Sequence, residues 1–357
     1  MVKELKVDWH DSMQQSFEFY TVDPDTWKDK DLIEDVESCI INRDSFSDTL
    51  GSASIDCDTV FNECYFRVYL SVIQNGYKFK EALGTYMIQT PSTDFDGKKT
   101  NTSMDAYTPL IELKDTAPPV GYSLLKDTEI MPITHAICRE NMRAPVIEAK
   151  STKTLYNDFV SNLQDSWLTF VKDLVANAKF ELYLDPLGRL LFEPIKDIAS
   201  LQPVWVYEDN DISILYPDVG DERDLYGIPN VVEVIYSTDS GFLISRVENN
   251  DPDSPISTVN RGRIVLHRES NPNIAGKPTQ EYLDEYATQL LRNLSCLEHT
   301  ITYKHGYCPV RVGDCVMINY KRAGLKNVTA KVIYQSIKCE TGCPVEEKAI
   351  YTEKLWR

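Results

Sequence analysis

The sequence predicts a mainly β chain with α+β insertions, and three observations lead there. Aromatic residues fill 10% of the 357 positions, with 20 Tyr among them, and such side chains fit a pleated, half-buried surface. Short alternating apolar runs, each bounded by turn residues, recur in two separated blocks. Only two regions step in threes and fours as amphipathic helices do. A chain of this length exceeds one ordinary core, so several packed units are expected.

Taken in order, residues 1–31 form a polar segment, in which "DPDTWKDKD" is too charged and turn-rich to build a core. Residues 32–118 read as strands. "SASIDCDTV" and "CYFRVYLSVIQ" alternate, with Tyr65, Val68, Leu70 and Val72 expected inside. "YKFKEALGTYMIQTP" passes a break at Gly84 into a strand ended by Pro91. "STDFDGKKTNTS" is a polar loop, and "DTAPPVGYS" at 115–123 reads as an extended boundary, because paired prolines favour one. Residues 119–199 form an α+β middle domain. There Leu155, Phe159, Leu163, Trp167, Phe170, Leu174 and Ala178 predict one helix, or two broken near Asp165, and a strand–turn–strand follows in "FELYLDPLGRLLFEPI".

Strands return at 200–248 and 300–357, around an insertion at 249–299. In "GIPNVVEVIYSTDSGFLISRVEN" the run Val231–Tyr236 is one strand, Thr238–Gly241 a turn, and Phe242–Val247 a second strand. Within the insertion Thr279 is placed to cap a helix whose Leu283, Ala287, Leu290, Leu294 and Leu297 share a face.

Charge and chemistry exclude more than they assign. A net charge of −18 argues against a nucleic-acid binder, which needs clustered Lys and Arg. Nine cysteines scattered through a long chain are no disulfide framework and fit a reducing compartment. Cys339 and Cys343 are the only close pair, and a structural zinc site needs a second pair. The N-terminus has no apolar core for a signal peptide, and no stretch reaches the ~18 apolar residues of a membrane helix.

His10, His135, His267, His299 and His305 fall in no metal-binding spacing, and no nucleophile elbow, Walker loop or dinucleotide fingerprint is present. "DFDG" at 94–97 lacks the glutamate of a calcium loop, since Ser103 stands there. No catalytic, cofactor or metal residue is therefore assigned. The alternative is a carbohydrate-binding or glycan-hydrolysing protein with paired carboxylates. Asp185, Glu193, Asp209 and Asp211 flank strands, and Trp205, Tyr207 and Tyr216 offer stacking surfaces.

The order of the blocks carries a sharper signal. "FRVYLSVIQNGYKFKEALGTYMIQTPSTDFDG" followed by "TSMDAYTPLIELKD" resembles the first barrel of bacteriophage baseplate hub proteins. "DSWLTFVKDLVANAKFELYLDPLGRLLFEP" is similar to that family's helical middle domain and its hairpin. "PVWVYEDNDISILYPDVGDERDLYGIPNVVEVIY" is similar to the entry of its second barrel, and "VENNDPDSPISTVNRGR" to its insertion. "CPVRVGDCVMINYKRAGLKNVTAKVIYQSIKCETG" resembles its closing strands.

The resemblance implies a structural virion protein and no enzyme. It implies two tail-tube-like antiparallel β-barrels per chain at 32–118 and at 200–248 with 300–357. Three chains would then form a ring between the sixfold tail tube and the threefold central spike or tip. The implied partners are two further copies, the tail tube or distal tail protein, the spike or tip protein, the tape measure and the baseplate wedge. Genome DNA would pass through without specific binding. Such a protein would be assembled in the bacterial host cytoplasm and reside in the tail baseplate.

Overall fold

The computed structural model describes residues 6–59, 61–95, 97–98, 100–196, 200–238, 241–272 and 279–356. Contacts divide the chain into two units, Met1–Val219 with Tyr303–Ala349, and Gly220–Thr302 with Ile350–Arg357. The protein is mainly β.

The first unit opens with β1 (Gln14–Val22), β2 (Asp29–Leu32), β3 (Val36–Asp44), β4 (Gly51–Cys57), β5 (Tyr65–Gln74), β6 (Tyr77–Phe95) and β7 (Thr100–Tyr107). Hydrogen-bonded neighbours run β3-β4-β7-β6-β5-β1-β2. β5 is buried on both faces, and Tyr65, Val68, Leu70 and Val72 lie inside as expected. Its sequence is accordingly a near-continuous apolar run.

Gly84 does not end a strand. β6 continues through it, with a bulge between the Val68↔Gly84 and Tyr69↔Ala82 pairs. A Cβ on Gly84 would lie 2.4 Å from the Tyr86 ring, so glycine lets that ring fold back over the strand. Pro91 does not end β6 either. The pairing with β5 stops at Tyr65↔Met87, while Pro91 still faces Met104 of β7. Beyond Met87 one side of β6 is an edge, where a missing N–H costs no ladder bond.

β1 lies in the segment read from sequence as polar. Its alternation is Phe17, Phe19, Thr21 against Gln14, Ser16, Glu18, and Phe19 and Val22 are buried. Trp27, within the charged stretch, is buried too, and its indole N–H donates to the Leu187 carbonyl at 2.7 Å.

Next come α1 (Ile111–Asp115), β8 (Ser123–Leu124), α2 (Ile130–Asn141), β9 (Phe159–Val160), α3 (Trp167–Asn177), β10 (Phe180–Leu184) and β11 (Leu190–Pro194). The expected long helix is confined to α3. Ser166 caps it by accepting from the Thr169 amide, whereas Asp165 binds the Asn162 amide and holds a turn. Upstream, β9 pairs with β8, and Leu163 is 85% exposed. Trp167, Phe170, Leu174 and Leu190 share one core with Tyr65, Met87, Leu110 and Leu113, so this α+β segment and the β5–β7 strands are packed together.

After these, β12 (Trp205–Glu208) and β13 (Leu215–Asp224) lead to the second unit, with β14 (Val231–Thr238), β15 (Gly241–Glu248), α4 (Thr258–Arg261), β16 (Leu266–Ser270) and α5 (Gln280–Leu294). β14 pairs antiparallel with β15 from Val231↔Glu248 to Thr238↔Gly241 and parallel with β16. The predicted hairpin is thus present, although residues 239 and 240 of its turn lie outside the described residues. It joins a sheet with part of the expected insertion. Val232 and Val234 pack on Leu283, Ala287 and Leu291 of α5, and Thr279 caps that helix by accepting from the Tyr282 amide.

The chain closes with β17 (Cys296–Gly306), β18 (Cys315–Asn319), β19 (Val328–Lys338) and β20 (Pro344–Lys354). In the first unit, the start of β19 pairs with β18, which also takes β12 in parallel, and its end pairs with β3. Among the described residues the path of paired strands is open, with no closed barrel. No described helix is long and apolar enough to cross a membrane.

Candidate functional site

The densest polar chemistry lies inside the first unit. Glu347 of β20 lies on the same strand face as Val345 and Ala349, so strand geometry turns its carboxyl inward, and it is wholly buried. Four groups meet it. Gln335 Nε2 donates to Oε2 at 2.5 Å, the Tyr303 hydroxyl donates to Oε1 in a short contact, the Tyr207 hydroxyl stands at 3.4 Å, and His305 Nε2 lies 3.5 Å away. Gln335 is held in turn by Arg43, which donates to its Oε1 at 2.9 Å and to the Leu83 carbonyl at 2.6 Å. The network ties β12, β17, β19, β20, β3 and β6 together.

Burial by itself would push the His305 imidazole down. Hydrogen bonds to Cys308 and Glu347 outweigh it and lift the group to about 10. Burial, and then the Glu347 charge, hold the Tyr207 and Tyr303 hydroxyls well above their usual range. Both rings and the Glu347 side chain are closed to solvent. The arrangement satisfies buried polar groups and fixes strand register; it gives no substrate a way in.

Next to it, Arg43, Tyr86, Tyr183, Arg311 and Lys331 line a cavity of about 110 Å³. That is well short of the ~300 Å³ at which small-molecule sites begin. One wall is the β10–β11 turn. Gly188 sits there at φ +75°, and a Cβ would stand 2.7 Å from Thr85 Cβ. Arg67, itself buried, holds the turn by donating to the Leu187 carbonyl at 3.0 Å and is anchored by Thr85 Oγ1 at 2.9 Å and Asp29 at 2.7 Å.

Two of the four carboxylates of the glycan-hydrolysing alternative are paired with arginines. Asp185 pairs with Arg189 at 2.5 Å across its own turn, and Asp209 takes a bidentate contact from Arg322 at 2.6 and 3.0 Å. Glu193 faces Glu181 across the hairpin, and Asp211 is exposed. Tyr207 is buried in the network, Trp205 stacks on His10 at 5.3 Å, and Tyr216 is on the surface.

His135 accepts from the Ala149 amide, and His267 lies in β16. In the second unit His299 stands between Asp221 at 2.9 Å and Glu353 at 3.2 Å and stacks on Tyr351. Among the described residues no group of three or more His, Cys, Asp or Glu is arranged to hold a metal ion. The sequence reading passed over Glu347, Gln335 and Arg43. The available signal was a charge on the apolar face of an alternating strand, in "PVEEKAIY".

A different surface is apolar. Segments 120–127 and 155–163 run side by side through the Leu124↔Phe159 pair and expose Val120, Leu125, Tyr156, Val160 and Leu163.

No family model and no curated protein matches the sequence. The fold is similar to those of solved tail proteins. The tail protein from Neisseria meningitidis MC58 superposes with a TM-score of 0.61 at 12% identity, over 94% of this chain and 96% of that one. The 43 kDa tail protein of prophage MuSo2 from Shewanella oneidensis gives 0.58 at 12%, over 93% and 97%. A chain of a Francisella PdpA–VgrG complex gives 0.53 at 9%, over 95% of this chain and 58% of that one. At such identities the likeness is one of fold.

Proposed function

We propose that this chain is a structural tail protein and, within that class, a baseplate hub. Three copies form a ring that joins the sixfold tail tube to the threefold spike or tip and leaves a channel for the genome. The observation that carries the reading is the fold shared with tail proteins over nearly the whole of both chains. The strand-rich blocks, 32–118 and 200–248 with 300–357, are read as the two tube-facing modules, the first extended by β1 and β2 and the second without β14 and β15, which pair with β16 of the insertion. Their open sheet edges are read as completed by neighbouring chains in the assembly, since an unpaired edge is a template for pairing. The α+β segment 119–199 and the insertion 249–299 lie outside the channel in this reading. No enzymatic step is assigned to the buried His–Glu–Tyr network, which is closed to solvent.

Partners follow from this reading: two more copies, the tube or distal tail protein, the spike or tip protein, the tape measure and the wedge. The channel wall is net acidic, because basic side chains there would hold passing phosphates. Light scattering on the purified chain tests the ring. A mass of three 40.8 kDa chains is expected. A wild-type monomer at all concentrations overturns the ring.

A further inference from the structure

All nine cysteines are free thiols, and two of them face each other. The β3–β19 register pairs Ile41 with Ile337 and Ile40 with Lys338, so the next pair is Cys39 and Cys339. The Cys339 amide donates to the Cys39 carbonyl at 2.9 Å, which makes this a hydrogen-bonded antiparallel pair. Such pairs hold their Cα atoms about 5.5 Å apart, inside the ~4.4–6.8 Å window that a disulfide accepts.

Alternation puts both side chains on one face with Ile41 and Ile337, and Cys39 and Cys339 pack into the same core. The Cys39 thiol first, and burial second, hold the Cys339 thiol well above its ordinary range. Cys339 is half-buried, so a small reagent reaches it, while Cys39 is 3% exposed. Cys343 is a possible rival, wholly buried and four residues further on, past a turn at Gly342.

We propose that Cys39 and Cys339 are an oxidisable pair that closes to a cross-strand disulfide when the folded protein meets a low-molecular-weight disulfide. The Cys339 thiolate attacks one sulfur of the reagent, the reagent's S–S bond breaks, and one thiolate leaves. Cys39, deprotonated in turn, attacks Cys339 sulfur in the mixed disulfide, and the second thiolate leaves. The two protein thiols are oxidised by two electrons, the reagent is reduced to two thiols, and both protons end on those thiols. The raised Cys339 thiol makes the first step slow at neutral pH. The bridge would staple a strand near residue 39 to one ending near 338, closing a loop of about 300 residues, the class of cross-link that most restricts the unfolded chain. Free in a reducing cytoplasm, the pair would lock once the protein reaches an oxidising medium.

The test incubates the folded full-length protein with glutathione disulfide at about pH 8.5 for hours. Thiols are then counted and peptides mapped without reduction. Loss of two thiols per chain, a Cys39–Cys339 peptide, and a thermal midpoint raised by roughly 5–10 °C and restored by dithiothreitol are expected. Cys343→Ser keeps all three signs and Cys39→Ser abolishes them. A Cys339–Cys343 bridge, a mixed disulfide that stops at Cys339, or nine surviving thiols overturns the proposal. Mapping of the wild-type protein decides alone if Cys39→Ser does not fold.

Discussion

Glu347 shows how a single residue can set the register of several strands. Removing its carboxyl leaves Gln335, Tyr303 and the His305 imidazole without their shared acceptor in a closed interior. Glu347→Ala should therefore cost about 3–5 kcal/mol, the range for breaking a buried charged pair, read as a lower urea midpoint. The pH dependence has a definite sign. His305 is lifted from an ordinary value near 6.5 to about 10. Between those values the folded protein binds a proton that the unfolded chain has released, so stability falls as pH rises. The contribution is complete below about pH 6.5 and is lost on passing about pH 10. Thermal midpoints over pH 6–10 should decline for the wild type and decline less for His305→Gln; equal slopes would remove His305 as the cause. None of this was legible in sequence, where a Glu and a His forty-two positions apart carry no spacing signal.

At the level of elements, legibility followed how local the signal was. Thr279, Leu283 and Ala287 of α5 were readable, because cap and first turns are close in sequence, but the buried stripe continues through Leu291 rather than Leu290, and Leu297 falls in β17. The β14–β15 hairpin was readable for the same reason. The helix before Trp167 was misjudged because a three–four spacing of apolar residues also suits an irregular segment when Asp165 spends its side chain on a turn. β1 was missed because the charges around it hid an alternation that only the neighbouring β5 explains. The β10–β11 turn was visible as Asp-Pro-Leu-Gly, but its docking against Thr85 was not. Gly188→Ala tests that docking. With φ at +75° and Thr85 Cβ 2.7 Å from the new methyl, a loss of about 2 kcal/mol is expected, together with faster proteolysis between residues 184 and 190. An unchanged midpoint would mean that the turn yields freely.

For the whole molecule, charge is the dominant long-range quantity. Each chain carries −18, so copies repel at distance and must be held by short-range contacts. Salt screens the first and hardly affects the second. The proposed ring should therefore tighten as ionic strength rises from about 20 to 300 mM, seen as a lower concentration at which the trimer mass appears by light scattering. Weakening with salt would mean that ion pairs hold the contacts instead.

The meeting of β3 with β19 has a consequence in time. A ribosome makes residue 39 long before residue 337, yet the two strands are neighbours. The second unit is in the same position, since Leu355 packs with Ile228 and Leu297, and Trp356 packs against its helix. Neither core can be finished on a partial product. Contacts so distant along the chain make for slow closure and long exposure of apolar strands to chaperones. A product broken off before residue 330 lacks β19, and with it Ile337, which packs in one core with Ile41, Ile55 and Val68.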